Sequence, residues 1–189
     1  MTVATQKMTL EEFLAYEDGT DYLYELENGE LVWISAESEI NRRIAMFLLI
    51  YFSQQGIPSE RLTMKTEIAV SGSRVSVRVP DLLVLSEELA TLLEGASRSI
   101  VLMDMPPPLL VVEVVSPNQE KRDYRYKRSE YAARGIAEYW IVDPIQQKVT
   151  ILELVEGFYE EKVYQDSDRI ESSLFVQIDL SVDRVLQLS

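Results

Sequence analysis

The stretch that decides the fold is Leu109-Leu110-Val111-Val112-Glu113-Val114-Val115. Apart from one acid it is apolar and rich in valine, which is typical of a strand buried on both faces of a central sheet. A carboxylate inside such a strand is costly unless it is paired or bound to a metal. Two interpretations of Glu113 stay open: a structural acid on an edge strand or beside a buried Arg or Lys, or a metal ligand where the strand ends.

The segments on either side of this strand predict an α/β arrangement. Ser116-Pro117-Asn118 is expected to start a helix that runs to about Arg134 and ends at Gly135, and Glu138 to Pro144 reads as the next strand. Before the strand, the sequence predicts strands over 63–70 and 75–85, the latter interrupted by Pro80, with a turn at 71–74 between them. Residues 86–105 read as a variable helix or lid.

The two ends of the chain carry local signals of their own. Thr9 to Glu12 forms a capping box for a short helix, and Asn28-Gly29 lies between two strand-like runs as in a β-hairpin. A core-facing helix is predicted over 38–55 from the spacing of Ile40, Ile44, Phe47, Leu48 and Tyr51. A second hairpin is expected over 148–164, followed by short extended pieces from Ser173. We therefore predict one α/β domain over residues 1–189, with a mixed sheet flanked by helices.

Composition restricts the chemistry more than the fold. The 189 residues contain 32 Asp and Glu against 18 Lys and Arg, a formal net charge of −14, and neither Cys nor His. The charge excludes a nonspecific nucleic-acid coat, although it allows local binding through a basic patch or bound cations. Thiolate metal sites, cysteine nucleophiles and histidine bases are excluded. Catalysis would depend on Asp, Glu, Lys, Ser, Thr or Tyr, with carboxylates and a hard cation such as Mg²⁺ as the natural combination.

No secretory signal and no run long enough to cross a membrane is visible in the sequence, so we expect a cytoplasmic protein without a membrane partner.

Asp81 is a second candidate for chemistry. It follows Pro80 and precedes the apolar run Leu82 to Leu85, so it is again an acid at the start of a buried segment. Taken alone, a turn residue that caps nearby backbone groups is the better explanation.

Lys127 is the third candidate, on the helix after Glu113. Residues 121–134 form a net-basic stretch, and Lys127 shares a helical face with Tyr124 and Tyr131. Such a lysine either extends along the apolar face to reach water or points into a site. Arg122, Arg125 and Arg128 are expected on a solvated face that could contact phosphate groups.

In this order, an acid after Pro, an acid inside an apolar strand and a nearby lysine resemble the PD-(D/E)XK nuclease superfamily. The sequence is more similar still to the Uma-two family of restriction-endonuclease-like proteins. The resemblance covers roughly residues 8–165 and rests on an ordered series of segments. These are Met8 to Phe13, Tyr24-Glu25-Leu26 with Gly29-Glu30-Leu31, Arg78 to Asp81, Val112 to Pro117, Asp123 to Lys127, and Tyr131 with Gly135 before Glu138 to Pro144.

The resemblance implies a restriction-endonuclease-like fold with a metal site. Asp81 and Glu113 would hold Mg²⁺ or Mn²⁺, with the backbone carbonyl of Val114 as a third ligand. The family's usual lysine, two positions after the second acid, is Val115 here, so Lys127 would replace it. Glu25 or Glu30 could add a carboxylate, with Glu30 preferred.

Two further points concern partners and the helix near Ser38. Many relatives carry a histidine near the start of that helix, whereas this chain has Glu39-Ile40-Asn41. Fold analogy favours a homodimer, because two sites cut two strands most simply.

Two functions of different classes follow from these observations. The first is a metal-dependent nuclease acting on nucleic acid, in the first place DNA. The second is a catalytically inactive interaction module on the same scaffold, which the missing strand lysine and the missing histidine favour. An enzyme acting on another phosphate ester has no support in the sequence. What separates the first two is whether Asp81, Glu113 and Lys127 converge within reach of one metal; in the inactive module, internal salt bridges would satisfy the acids instead.

Overall fold

Two mixed β-sheets organise the chain in this computed structural model, which describes residues 7–20, 22–71, 75–117, 120–175 and 178–186. The strands are β1 (Tyr24–Glu27), β2 (Glu30–Trp33), β3 (Leu62–Thr63), β4 (Glu67–Ser71), β5 (Val75–Arg78), β6 (Leu82–Val84), β7 (Ile100–Val101), β8 (Leu110–Val114), β9 (Glu138–Asp143), β10 (Lys148–Val155) and β11 (Phe158–Gln165). One sheet has the order β2-β1-β5-β4-β7 and the other β11-β10-β9-β8-β6-β3. The pairs β4–β7 and β8–β9 are parallel, and the other pairs are antiparallel.

Helices flank these sheets. They are α1 (Leu10–Leu14), α2 (Glu39–Gln54), α3 (Glu87–Leu93), α4 (Arg128–Arg134) and α5 (Val182–Leu186). A 3₁₀ turn covers Ser59–Arg61, and a π-helical segment, Arg122–Lys127, leads directly into α4. Within the described residues, no helix combines the length and the apolar character needed to cross a lipid bilayer.

Strand β8 lies between two apolar cores, as its near-continuous valine run predicts. Val112 and Val114 pack with α2, α5 and Trp140 on one face, where the Trp140 ring lies edge-on to Phe52 at 5.5 Å. Val111 on the other face packs in the core that also contains Tyr131 of α4. Side chains alternate along a strand, so Glu113 is directed to the α4 side.

Several predicted local signals are confirmed. The Thr9–Glu12 capping box is present in both directions, and Asn28-Gly29 turns the β1–β2 hairpin with φ values of 52° and 81°. Gly135 ends α4 in the left-handed conformation. The predicted break at Pro80 is real, because β5 and β6 lie in different sheets.

Other local predictions are wrong, and each error has a physical cause. Residues 63–70 are not one strand: β3 and β4 belong to different sheets, and between them Lys65 has a φ of +57°. The region 86–105 contains α3 but also β7, and α5 lies in the tail that was expected to be extended. Ile40 is 49% exposed on the first turn of α2, outside the buried stripe. The predicted turn at 71–74 and the helix start at Asn118 fall largely outside the described residues.

Candidate active site

Asp81, Glu113 and Lys127 lie around one small cavity of about 60 Å³, between the ends of β6 and β8 and the π-helical segment. All three side chains are buried. The three residues come from three different parts of the chain, so only the tertiary fold brings them together.

Asp81 is placed where the chain passes from one sheet to the other. Its Oδ2 accepts a hydrogen bond of 2.7 Å from the backbone N–H of Val114, 33 residues away. Asp81 therefore accepts a backbone hydrogen bond, as expected of a turn residue. The donor, however, belongs to the neighbouring strand β8 and not to the turn that contains Asp81. Its other oxygen, Oδ1, accepts from Lys65 Nζ.

Lys65 was missed by sequence reasoning. It pairs with Asp81 and lies 3.4 Å from Glu37 Oε1. Its left-handed backbone costs a non-glycine residue about 1 kcal/mol or more, and it breaks the run 63–70 into β3 and β4. Strained backbone of this kind clusters at functional sites. Position 65 is a lysine and not a glycine, so nothing in the sequence indicated a left-handed backbone there.

Two side chains of the helical segment that follows β8 contact the carboxyl group of Glu113. Its Oε2 lies 2.8 Å from Lys127 Nζ, and its Oε1 accepts a 2.7 Å hydrogen bond from the hydroxyl of Tyr131. Burial raises the pKa of the Glu113 carboxyl to about 8, although Lys127 opposes that shift. Glu113 is therefore a buried acid paired with a lysine, as the structural alternative expected, and it also lines the cavity; its role as a metal ligand stays a prediction.

Lys127 does not extend to water. Its Nζ lies 3.0 Å from Asp123 and 4.0 Å from Glu25, in addition to Glu113. Burial lowers the pKa of the ammonium, but Asp123, Glu113 and Glu25 outweigh burial and raise that pKa above its ordinary value. Lys127 is therefore a permanently charged cation held among three carboxyl groups.

Asn41 is a second residue that sequence reasoning did not assign. Asn41 lies on the first turn of α2. Its Nδ2 donates hydrogen bonds to the carbonyls of Val114 and Val115 at 3.1 and 3.2 Å and to the Ser116 hydroxyl at 3.0 Å. The carbonyl of Val114, predicted as a metal ligand, thus already accepts one hydrogen bond and retains a second lone pair.

Glu25 is the hairpin carboxylate that lines the cavity, whereas Glu30, which was preferred from the sequence, does not line it. Glu30 lies at the turn end of the hairpin, where its side chain is 64% exposed and pairs with Lys7. Glu25 lies toward the other end of β1 and is buried. The hairpin pattern could not choose between them, because the choice depends on which end meets the second sheet.

A buried ionic network fixes Glu25. Arg78 is fully buried and makes a bidentate pair with Glu130 at 2.7 and 2.9 Å, and it also contacts Glu25 at 3.2 Å. Arg122 binds Glu25 from the π-helical segment. Burial raises the pKa of Glu25, but Lys127, Arg78 and Arg122 outweigh it and lower that pKa.

The three arginines predicted to contact phosphate do not form one free basic face. Arg122 is turned toward Glu25 and Glu27, and Arg128 binds Glu161 and the carbonyl of Tyr159 on β11. Arg125 is exposed. The positively charged surface that could contact a nucleic acid is therefore smaller than the sequence suggested.

The charge of the cavity lining favours a cation. Five carboxyl groups line it against three basic side chains, an excess of two; they are Glu25, Glu37, Asp81, Glu113 and Asp123 against Lys65, Arg122 and Lys127. Among the residues that the structure describes, no group of three or more acids is arranged as a preformed metal cage. One or two carboxylates with bound water is the arrangement that Mg²⁺ uses most often.

Comparison with known proteins gives a family and a fold. The family model Uma2, described as "Putative restriction endonuclease", matches residues 10–187. The structure resembles the crystal structure of "a putative nuclease belonging to DUF820" from Anabaena variabilis, with a TM-score of 0.77 and 17% identity over 95% of this chain and 98% of that one. No curated protein matches the sequence significantly. At this identity the structural likeness shows the fold alone.

The buried network leads to a prediction about stability. Replacing Arg78 by Met leaves Glu130 buried without its cation and removes one of the three cations around Glu25, so we expect unfolding to be easier by about 3–5 kcal/mol. Arg98 is the matched control, because it makes the same bidentate contact with Glu67, at 2.6 and 2.8 Å, while its side chain is 36% exposed. Arg98→Met should cost about 1 kcal/mol or less. Urea unfolding of both variants measures this, and equal losses would contradict the role of burial.

Proposed function

The chain belongs to the Uma2 family, and from that premise we propose that it is a metal-dependent nuclease that hydrolyses phosphodiester bonds of nucleic acid, in the first place DNA. The observation that carries the proposal is the meeting of Asp81, Glu113 and Lys127 at one small, carboxylate-rich cavity. The predicted homodimer, the single domain and the cytoplasmic location stay predictions.

The donor set at the cavity fits a hard divalent cation. Asp81 and Glu113 offer carboxylate oxygens, the carbonyl of Val114 offers another, and each oxygen keeps a lone pair beyond its present hydrogen bond. Oxygen ligands of this kind are those that Mg²⁺ and Mn²⁺ prefer. When bound, such an ion activates water and stabilises the charge that develops on the phosphate.

The chain's own groups prepare the reaction around these ligands. Lys127 brings a fixed positive charge to the carboxyl of Glu113, where it can stabilise negative charge on an attacking water or on a non-bridging phosphate oxygen. Tyr131 and Asp123 hold the two partners of this ion pair in place. Lys65 neutralises Asp81 in this structure, and a cation held by Asp81 would take over that role. The resulting arrangement is preorganised before substrate binds.

Metal binding should depend on Asp81. We expect wild-type protein to bind Mn²⁺ and Mg²⁺ at millimolar concentrations or below, and Asp81→Asn to weaken binding by at least about 10-fold, because a neutral amide replaces a charged ligand. Glu30→Gln is the control, since Glu30 is exposed and lies away from the cavity. Isothermal titration calorimetry measures all three proteins. Absent binding, or equal binding in the two variants, would leave the inactive module as the better description.

Metal binding should also release a proton. Since burial raises the pKa of Glu113 to about 8, its carboxyl takes up a proton at a higher pH than an exposed glutamate does, and a bound cation, like Lys127, would favour the ionised form. The affinity should therefore rise with pH, by up to about tenfold per unit below pH 8. Calorimetry in two buffers of different ionisation enthalpy counts the released protons. A pH-independent affinity in wild type, or an unchanged slope in Glu113→Gln, would contradict this.

Cleavage tests the reaction itself. With Mn²⁺ or Mg²⁺ we expect wild-type protein to cleave DNA, and Lys127→Met to lower the rate about 100-fold or more, because the variant lacks the buried charge. Lys162→Met removes an exposed lysine paired with Glu171 and should have no effect. Gel analysis of plasmid and single-stranded circles gives the rates, with circular dichroism to show that each variant is folded. A protein that binds metal at Asp81 and cleaves neither substrate would favour the inactive module.

A further inference from the structure

Two aromatic rings lie exposed at the end of the β1–β2 hairpin. Tyr22 is 61% exposed and Trp33 is 54% exposed, and the two rings meet edge to face with their centroids 5.9 Å apart. Tyr16 and Tyr24 form a second edge-to-face pair at 5.7 Å in the neighbouring groove. Contiguous exposed aromatic surface of this kind marks a binding site more often than single exposed residues do.

These rings are continuous with the candidate active site. Trp33 directly precedes Ile34 and Ser35, which line the cavity, and Ile34 donates a 2.9 Å backbone hydrogen bond to the carbonyl of Leu23, next to Tyr22. Lys65 lines both the cavity and a groove of about 350 Å³ that contains Tyr22, Tyr16 and Tyr24. A polymer whose phosphate enters the cavity would therefore pass the rings with its neighbouring units.

The charges on this side of the molecule do not suit a duplex. Duplex affinity comes mainly from many cations on phosphates, whereas the chain has a net charge of −14. The two basic side chains that line this groove already have carboxylate partners, since Lys65 binds Asp81 and Arg98 binds Glu67. Stacking of bases on aromatic rings supplies affinity without such cations, but only where the base faces are free of a duplex stack.

We propose, on the basis of the nuclease function above, that Tyr22 and Trp33 stack on unpaired bases, and that the substrate is a single-stranded nucleic acid. The rings then position the strand so that a phosphodiester next to a stacked base reaches Asp81 and Glu113. Specificity for single strands arises because paired bases present only their edges.

Binding without metal tests this separately from cleavage. Fluorescence anisotropy in EDTA compares a short fluorescein-labelled single-stranded DNA, the RNA of the same sequence and the matching DNA duplex. Wild-type protein should bind the single strands more tightly than the duplex, and Trp33→Ala and Tyr22→Ala should each weaken that binding about 10-fold. Phe158→Ala is the control, because Phe158 is 78% exposed at the β10–β11 turn, on the edge of the other sheet.

The two tryptophans give a second readout. Trp33 is exposed and Trp140 is fully buried. Unlabelled single strands should therefore quench the emission of wild-type protein, and Trp33→Phe should lose this quenching while remaining folded. Whether DNA or RNA binds more tightly identifies which single strand is the substrate.

The outcomes separate this inference from the proposed function. Equal or tighter binding of the duplex, unchanged binding by both ring variants, or no binding of any strand overturns the inference even if plasmid DNA is cleaved. Ring-dependent binding of single strands supports it, and if no metal then allows cleavage, the nuclease function fails while the binding surface stands.

Discussion

The buried carboxyl of Glu113 is the constraint from which the rest of the site follows. Strand β8 has apolar cores on both faces, so an acid at its centre loses its hydration and must be compensated from within the protein. The compensation comes from Lys127, whose Nζ lies 2.8 Å away, and from the Tyr131 hydroxyl. Both belong to the helical segment that covers this face. The contacts that pack this segment on the sheet are therefore the same contacts that set the chemistry of the cavity.

The same constraint extends outward through other buried charges. Lys127 is itself buried, so it needs Asp123 and is placed near Glu25. Glu25 in turn is balanced by Arg78, whose second partner is Glu130 of α4. Each added charge requires the next, because an unpaired charge at this depth costs several kcal/mol. The chain of pairs ties the hairpin, β5 and the helical segment that ends in α4 to one another.

The sequence predicts best what depends on neighbouring residues. The capping box at Thr9, the Asn28-Gly29 turn and the Gly135 cap each need only a few residues in order, and all three are confirmed. The acids of the site could also be proposed, because a charge inside or beside an apolar run is visible locally. Lys65 could not, since residues 63–70 alternate as a single strand would and the break between sheets is decided by tertiary contacts.

The sequence was equally unable to predict which partner each charged side chain would have. Glu25 and Glu30 occupy similar positions in the hairpin sequence, yet one is buried beside Arg78 and the other is exposed. Arg122, Arg125 and Arg128 looked alike on the helix, but Arg122 and Arg128 are taken up by carboxylates from strands distant in sequence. The identity of a residue fixes its charge, whereas the fold fixes whether that charge faces water.

The position of Lys127 shows that a buried carboxylate can receive its cation from a helix instead of from its own strand. Val115 occupies the place of the lysine in the superfamily's usual pattern, and it is fully buried on the same side of β8 as Glu113. A helix packed on that side can bring an ammonium group to the same carboxylate, as Lys127 does at 2.8 Å. Val115 itself packs in the apolar core with Tyr131 and Tyr139. Because the carboxylate senses the position of the charge and not the element that carries it, a lysine on either element can serve the same electrostatic role.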